Sequence, residues 1–549
     1  MLRRTSGLFL SSLFCIAPAY AQAAQPSLDR ADPSLIEEDT RRDAADRPEQ
    51  EQAQVGMQTG EGGSALSQPV QVGAILIEGT SELPPSHFAG VIEPYAGRLL
   101  GAAELEALST SVAEHARAAG FGLATAWIPQ QKISNGVLRI VVDEGRIDAV
   151  EVTGEGAGPV RRMLQPLANG RPVRTATLER QLLLAGDVAG VELGKARLKR
   201  DQRGNVLSVS SERERIEARA YGDNWGTSTV GPVRTRFYTD FNGLVGAADQ
   251  LSLSAIVTPF DPIEFGLLGA GYETLVGTAG TKLGLSGYIA TTHPGGVLKG
   301  RDVDGRSVEG EVTTSHPLLR SRAKSLWLDG SFRISQVRQS REDELTREDG
   351  LSVLSASLGG FVRGDAYRFR GRLGAAQGLD IFSATEAGDP LASRDDADGR
   401  FTKVELWLEY RRTLSKRFSV QLQAEGQLAS GPLLSSEEMG LGGRTFLRGY
   451  DYREYAGDKG VAGSAELRFD LDKLPKPVSF VQLYTYADAG SVGNYRSGDG
   501  GGSLASAGGG VRVWLGKHFD IGLEVGVPLK RSEFSDKDPR FSFTVGSRF

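Results

Sequence analysis

The sequence predicts a mixed fold: two tandem β-α-α-β-β domains followed by an antiparallel transmembrane β-barrel of about sixteen strands. Three observations carry this expectation. Helical periodicity alternates with short strands over residues 70–211 and stops near Glu214. From there to Phe549 the chain is a series of roughly ten-residue segments of period-two alternation, separated by Gly/Asp/Ser/Pro stretches. The N-terminus reads as a secretory leader, yet no later stretch approaches the twenty or so apolar residues of a membrane helix. Such a chain can enter a membrane only as a closed barrel, which satisfies every backbone group without a spanning helix.

Residues 1–21 carry the features of a leader: Arg3 and Arg4, an apolar core over 8–17, and an Ala19-Tyr20-Ala21 cleavage site, with Ala21-Gln22-Ala23 as a second possibility. Phe14 before Cys15 is too bulky for a lipoprotein site. Residues 22–69 are polar and poor in aromatics. Within them 34–45 (SLIEEDTRRDAA) reads, on the residues alone, as a disordered tail or as one helix with Asp32 or Ser34 as N-cap, and 49–69 as a flexible linker.

The first small domain is assigned to 70–145. Its expected elements are a strand at 70–78, helices at 85–95 and 102–119, and strands at 121–128 and 136–142; in the second helix Leu105, Leu108, Val112 and Ala116 recur at helical spacing. The order repeats over 146–212, with a strand at 147–153, helices at 159–167 and 177–186, and strands at 191–198 and 206–210. Pro159 suits a helix start, and Gly204-Asn205 marks a turn.

The barrel is assigned to 213–549. In 418–428, Phe418, Val420, Leu422, Ala424 and Leu428 face one way and Ser419, Gln421, Gln423, Glu425 and Gln427 the other. Val461, Ala465, Leu467 and Phe469 likewise oppose Ser464, Glu466, Arg468 and Asp470, making Glu466 and Arg468 candidate lumen charges. Phe519, Ile521, Leu523, Val525 and Val527 oppose Asp520 and Glu524. Trp225, Trp327, Trp407 and Trp514 are expected in the aromatic belts at the membrane interfaces. One connection, 429–460, is too long for a hairpin turn, and its Phe446, Tyr450, Tyr452 and Tyr455 around Arg448 and Gly449 argue for an ordered, functional loop.

Composition excludes several classes. The formal charge of -6 becomes -8 when Arg3 and Arg4 leave with the leader, which argues against nucleic-acid binding. The single cysteine, Cys15, lies in the leader, so thiol and disulfide chemistry are not expected. The five histidines are scattered without metal spacing, and no phosphate-binding glycine loop is present. Residues 394–405 approach a calcium loop through Asp396, Asp398, Gly399 and Glu405, but Arg394 takes the first ligand position. No nucleophile motif supports an enzyme, and no metal or cofactor is expected.

Several stretches resemble the two-partner secretion transporters, the haemolysin activation/secretion (TpsB) family of the POTRA-barrel superfamily. The tandem β-α-α-β-β units are similar to its two periplasmic POTRA (polypeptide-transport-associated) domains. Asp223, Asn224 and Gly226 within DNWGTST, and His316, Pro317 and Arg320 within SHPLLRSR, resemble its barrel signatures. Leu447-Arg448-Gly449-Tyr450 resembles the tip of its sixth extracellular loop, with Leu447 where valine is commoner; Tyr486, Asp488 and Gly490 resemble its aromatic-x-Asp-x-Gly strand. The loop tip and Asp strand are shared with barrel-assembly proteins, whereas two POTRA units and the other signatures favour the secretion branch.

The resemblance implies an outer-membrane pore of a Gram-negative bacterium that recognises one large exoprotein through its POTRA domains, secretes it and can also activate it. That partner would be an adhesin, haemolysin or contact-dependent toxin with an N-terminal secretion domain. It implies that 34–45 plugs the pore, that the tip folds into the lumen, and that Arg448 pairs there with Asp488 on the wall. It further implies that Phe549 ends a recognition signal for the barrel-assembly machinery, that the barrel contacts outer-membrane lipid, and that strands 121–128 and 191–198 meet the exoprotein. A barrel-assembly factor and a solute porin are the alternatives.

Overall fold

The computed structural model describes Pro33 and residues 63–549, apart from 67, 134, 203, 228, 472–473, 497–500 and 534. The leader and the helix expected at 34–45 lie outside the described residues.

In the first small domain the strand Ala74–Glu78 runs parallel to Val137–Asp143, which pairs antiparallel with Thr125–Ile128. Helix α1 (Ala102–Ala118) lays Leu105, Leu108, Val112 and Ala116 fully buried on this sheet, against Phe88, Phe121, Leu138 and Ile140. These are the four positions that helical spacing singles out; truncating one such leucine to alanine costs about 2–5 kcal/mol. The helix expected at 85–95 is instead a broken path of Pro85–Phe88, Ala89–Ile92 and Glu93–Tyr95. Pro94 has no N–H for an i→i−4 bond and its ring crowds the preceding turn. The strand expected at 70–78 splits in two, because Val70–Gln71 pairs with Leu99–Leu100 before the chain joins the sheet. The strand expected at 121–128 shortens to Thr125–Ile128, after a turn that buries Phe121.

Gly63–Ser64 pairs in parallel with Trp127 and Ile128, so the chain's own preceding segment covers the outer edge of the strand expected to meet the exoprotein. Glu144 closes the domain by accepting the N–H groups of Leu83 (2.6 Å), Ser81 (2.9 Å) and Glu82 (3.0 Å) and the Ser81 hydroxyl (2.8 Å). Burial pushes the Glu144 carboxyl up, but these donors outweigh it and hold the carboxyl below the usual carboxylate range.

The second small domain repeats the order. Ala149–Gly154 runs parallel to the long strand Gly204–Arg213, and helices α2 (Ala157–Leu164) and α3 (Thr175–Gly186) cover the sheet. The strand expected at 191–198 is divided into Val191–Leu193 and Arg197–Asp201, both antiparallel to Gly204–Arg213.

The rest is a closed barrel of sixteen strands, from Ile216–Asp223 to Arg540–Arg548. The first and last strands pair antiparallel from Arg219↔Arg548 to Asp223↔Thr544. Its residue pattern is inverted relative to a water-soluble protein. Leu253, Leu268, Leu285, Leu354 and Leu373 point outward and exposed, Leu268 at 70%, while Arg236, Glu309, Glu409 and Gln427 are buried inside. That is the arrangement a hydrocarbon solvent demands. The faces expected for 418–428, 461–470 and 519–527 are the observed ones: Phe418, Leu422, Val461, Leu467 and Leu523 are exposed, and Ser419, Gln427, Glu466 and Arg468 are buried.

The tryptophan expectation is corrected. Trp225, Trp327, Trp407 and Trp514 line the lumen rather than the lipid belts. Trp407 shares the inward parity of Glu405 and Glu409 on its strand, and its ring faces the Arg370 guanidinium at 5.2 Å; Arg320 and Arg540 meet Trp327 and Trp225 in the same way. An indole stacked on arginine is well placed in a charged lumen.

Candidate functional site: a loop clamped inside the lumen

The connection between Phe418–Ala429 and Lys459–Leu471 folds inward as a hairpin. Met439–Leu441 pairs antiparallel with Tyr455–Gly457 and carries the tip, residues 442–454, into the barrel. Apolar packing holds it there: Met439, Leu441, Phe446, Leu447 and Tyr450 are buried against Ala462, Val492 and Leu504 of the wall. Leu447 adopts a left-handed conformation, φ 62°, closed by the Tyr450 N–H to Leu447 carbonyl bond at 2.9 Å. This conformation costs an L-residue about 1–2 kcal/mol and burdens a β-branched side chain more, so leucine suits the position better than valine.

Arg448 follows at the point of deepest contact. Its Nε and Nη2 donate to Asp488 Oδ2 and Oδ1, each at 3.1 Å, and its backbone N–H also reaches Asp488 Oδ2 at 3.1 Å. Nη1 donates to Glu466 Oε2 at 2.9 Å, and Nη2 to Ser464 Oγ at 3.1 Å. The guanidinium lies 3.3 Å from the centroid of the Tyr486 ring. Arg448 is 6% exposed and Asp488 2%. A desolvated guanidinium requires this full set of acceptors, and the fork geometry sets angle as well as distance.

The cluster extends beyond the pair. Arg512 donates to Glu466 Oε1 at 2.8 Å and Arg468 to the same oxygen at 2.6 Å. Glu524 accepts the Tyr484 hydroxyl at 2.6 Å and the Tyr486 hydroxyl at 3.1 Å, and lies 3.5 Å from Arg448 Nη1. Arg448, Arg468 and Arg512 thus face Asp488, Glu466 and Glu524, a balanced set in which no charge is left over.

Close approach depends on absent side chains. A Cβ on Gly449 would lie 2.9 Å from the Pro528 backbone nitrogen, and one on Gly490 would lie 2.9 Å from Leu441 Cδ2. Either would push the tip off the wall. Tyr450, almost fully buried, donates its hydroxyl toward the carbonyls of Lys530 (2.6 Å) and Ala505 (2.8 Å).

The signature positions near Asp223 join the same assembly. Asn224 extends the barrel seam by a side-chain clamp, donating to the Phe541 carbonyl at 2.8 Å and accepting the Phe543 N–H at 2.7 Å. Asp223 pairs with Arg236 and accepts the Trp225 N–H at 3.0 Å. Gly226 lies against the Gly231 carbonyl, where no Cβ fits. Arg540 then ties this stretch to the loop, donating to the carbonyls of Gly226 (3.2 Å) and Tyr450 (3.0 Å) and pairing with Asp451. Phe549 sits exposed at the periplasmic end, edge-on to Phe519. His316, Pro317 and Arg320 lie at that end too, remote from the clamp; His316 meets Thr281 Oγ1 at 2.8 Å.

Sequence alternation puts Ser464 and Glu524 on the lumen face beside the named Arg448, Asp488, Glu466 and Arg468, without assigning them to the loop site; Arg512 and Tyr484 are added by the structure. Inward parity with Asp488 or Glu466 was the available signal. The structure also adds an outer tier at the base of the loop. There Glu437 meets Lys403 (2.9 Å) and Arg333, and Arg394 binds Glu438 (2.6 Å), Asp458 (2.7 Å) and Asp396 (3.1 Å). Arg394, which stands at the first position of the near-calcium stretch, thus uses Asp396 as a counter-ion.

The sequence matches a known family. The description "Haemolysin secretion/activation protein ShlB/FhaC/HecB" matches residues 205–513, and "POTRA domain, ShlB-type" matches residues 70–145. The chain belongs to the haemolysin secretion/activation family. It is similar to the heme/hemopexin transporter protein HuxB of Haemophilus influenzae (strain 86-028NP), 23% identical over 439 residues that cover 76% of this chain and 75% of that one. It is similar to the outer membrane transporter CdiB of Escherichia coli O6:K15:H31, 23% identical over 479 residues, covering 83% and 79%. The solved structure of CdiB from Escherichia coli superposes with a TM-score of 0.71 at 18% identity, covering 97% of this chain and all of that one; at that identity the likeness shows the fold. As a family member the protein is an outer-membrane transporter for export of a partner protein, with POTRA domains in the periplasm.

Proposed function

We propose that the protein exports one large exoprotein with an N-terminal secretion domain, and that the clamped loop is the gate of its path. The observation that carries this reading is the Arg448 cluster: a long loop pinned inside the lumen by a balanced, buried ion network, in a barrel fed from the periplasm by two small domains. A solute porin needs neither the domains nor so costly a clamp. The edge Val191–Leu193 is the better site for first strand addition, because Gly63–Ser64 already covers Thr125–Ile128 and must leave before that strand can pair. The heme/hemopexin connection in the name of HuxB supports a heme-related exoprotein as cargo, beside the adhesin, haemolysin or contact-dependent toxin that the family resemblance implies. Arg448, Asp488 and Tyr486 are the gate residues. Residues 34–45 act as a plug, and Phe549 is read by the barrel-assembly machinery.

The test is a chromosomal deletion followed by comparison of the extracellular and outer-membrane proteomes. Loss of one large exoprotein with other barrels normal is the expected result. A general fall in outer-membrane barrels would favour an assembly factor, and a change in small-solute uptake alone would favour a porin.

A further inference from the structure

The SHPL-x-R stretch takes no part in the lumen clamp. It lies at the periplasmic rim, where the strand Val303–Arg320 turns into Lys324–Arg341. Arg320 donates through Nε and Nη2 to Asp187 Oδ2 and Oδ1 at 3.0 and 2.7 Å, a parallel fork that fixes both distance and orientation. The Arg320 side chain is only 8% exposed, and it lies across the Trp327 ring. Asp187 is the residue that ends α3. From the same helix Arg180 donates to the Pro317 carbonyl at 2.8 Å, and Glu179 accepts the Arg322 N–H at 3.0 Å. The strand register slips between Pro317 and Leu319, at the same point where the Pro317 carbonyl accepts from Arg180. Leu184 fills the remaining gap over Gly280, where a Cβ would lie 2.5 Å from Leu184 Cδ2 and 2.9 Å from Pro317 Cγ.

A single ion pair would leave the small domain free to pivot. Contacts at 179, 180 and 187 are spread over about 12 Å of helix and remove that freedom. The consequence is directional. Val191–Leu193, which follows α3 directly, lines the same lumen cavity as Arg448 and Arg512, and among the described residues no strand covers its outer edge.

We infer that residues 315–322 are a docking platform for α3, and that Asp187 and Arg320 are positioning residues for export. They hold the edge Val191–Leu193 at the mouth of the lumen, so that an extended chain paired along that edge is aimed into the pore. This rests on the export reading above. Rotation of the second small domain away from the rim would leave the edge able to bind the chain but unable to deliver it.

The experiment compares Asp187→Arg, Arg320→Asp and the double exchange with wild type and a deletion strain, all in the native host. The readout is exoprotein in the medium per assembled barrel, with assembly read from heat-modifiable migration. Each single exchange sets like charges against each other and lowers export at least about tenfold per assembled barrel. The double exchange restores export to within about threefold of wild type, since an arginine at position 187 also suits a helix C-terminus. Single variants that assemble and export like wild type would overturn the inference, and so would a double exchange no better than the singles. Should the singles fail to assemble, Arg180→Gln removes one hydrogen bond and leaves the ion pair; it lowers export at normal assembly, and unchanged export would overturn the inference. A deletion strain that still exports everything overturns the export reading itself. Loss in the deletion strain beside normal export in the docking variants overturns the docking inference alone.

Discussion

Arg448→Ala removes one cation from a cluster of three cations and three carboxylates. Asp488, Glu466 and Glu524 then share Arg468 and Arg512, and Asp488 keeps only the backbone N–H of residue 448 from the loop. Removing one member of a buried pair costs about 3–5 kcal/mol, and the stacked Tyr486 ring contributes about 1–2 kcal/mol more. Lumen water reaching the freed carboxylates offsets part of this. A net loss of about 3 kcal/mol shifts the ratio of docked to released loop by a factor of about 150. Arg448→Lys keeps the charge but not the fork, and its cost is about 1–2 kcal/mol. The assay is cleavage of residues 442–454 by external protease on intact cells, beside conductance of the purified barrel in planar bilayers. Cleavage and open-state conductance rise in the order wild type, Lys, Ala. Exchanging charges, Arg448→Asp with Asp488→Arg, restores only part of the docking, because Asp at 448 still faces Glu466 and Glu524. An assembled Arg448→Ala barrel with wild-type protease resistance and conductance would show that this cluster does not hold the loop in the lumen.

Other consequences are equally direct. Glu144 has a folded-state carboxyl held below its unfolded value of about 4.3, so its contribution is complete above that value and is lost as pH falls through the folded value. Glu144→Gln removes this pH dependence and costs about 1–3 kcal/mol, read as faster hydrogen exchange at residues 81–83 at neutral pH. Gly449→Ala places a methyl group against the Pro528 backbone and raises protease cleavage of the tip without changing any charge. Asn224→Ala opens the clamp on Phe541 and Phe543, and the heat-modifiable barrel unfolds at a lower temperature in detergent, by an amount worth about 1–3 kcal/mol.

Much of the fold was legible because barrel strands obey a strict parity. Glu466, Arg468 and Asp488 could be assigned to the lumen from their own strands, and the core of α1 from a helical repeat. Tryptophan was misplaced because ring chemistry was weighed above that parity, although Trp407 stands two residues from both Glu405 and Glu409. The pairing of Arg512 with Glu466, 46 residues away on another strand, and of Glu524 with Arg448, 76 residues away on the loop tip, is not legible, because register between distant segments is not written locally. The Gly63–Ser64 strand left no signal, since glycine and serine have low strand propensity and the pairing is created by the sheet they join. The SHPL-x-R stretch was recognisable as a signature, but its task appears only when α3 is laid against it.

An exported chain is expected to pass through this lumen. This passage is tested most directly by a photo-crosslinking residue at Gln423, which lines the lumen, with Leu422, exposed on the outer face, as control. One high-molecular-weight adduct containing the exoprotein is expected from position 423 in secreting cells, and none from position 422. Absence of any exoprotein adduct at 423 while export proceeds, or adducts to many outer-membrane barrels instead, would contradict it.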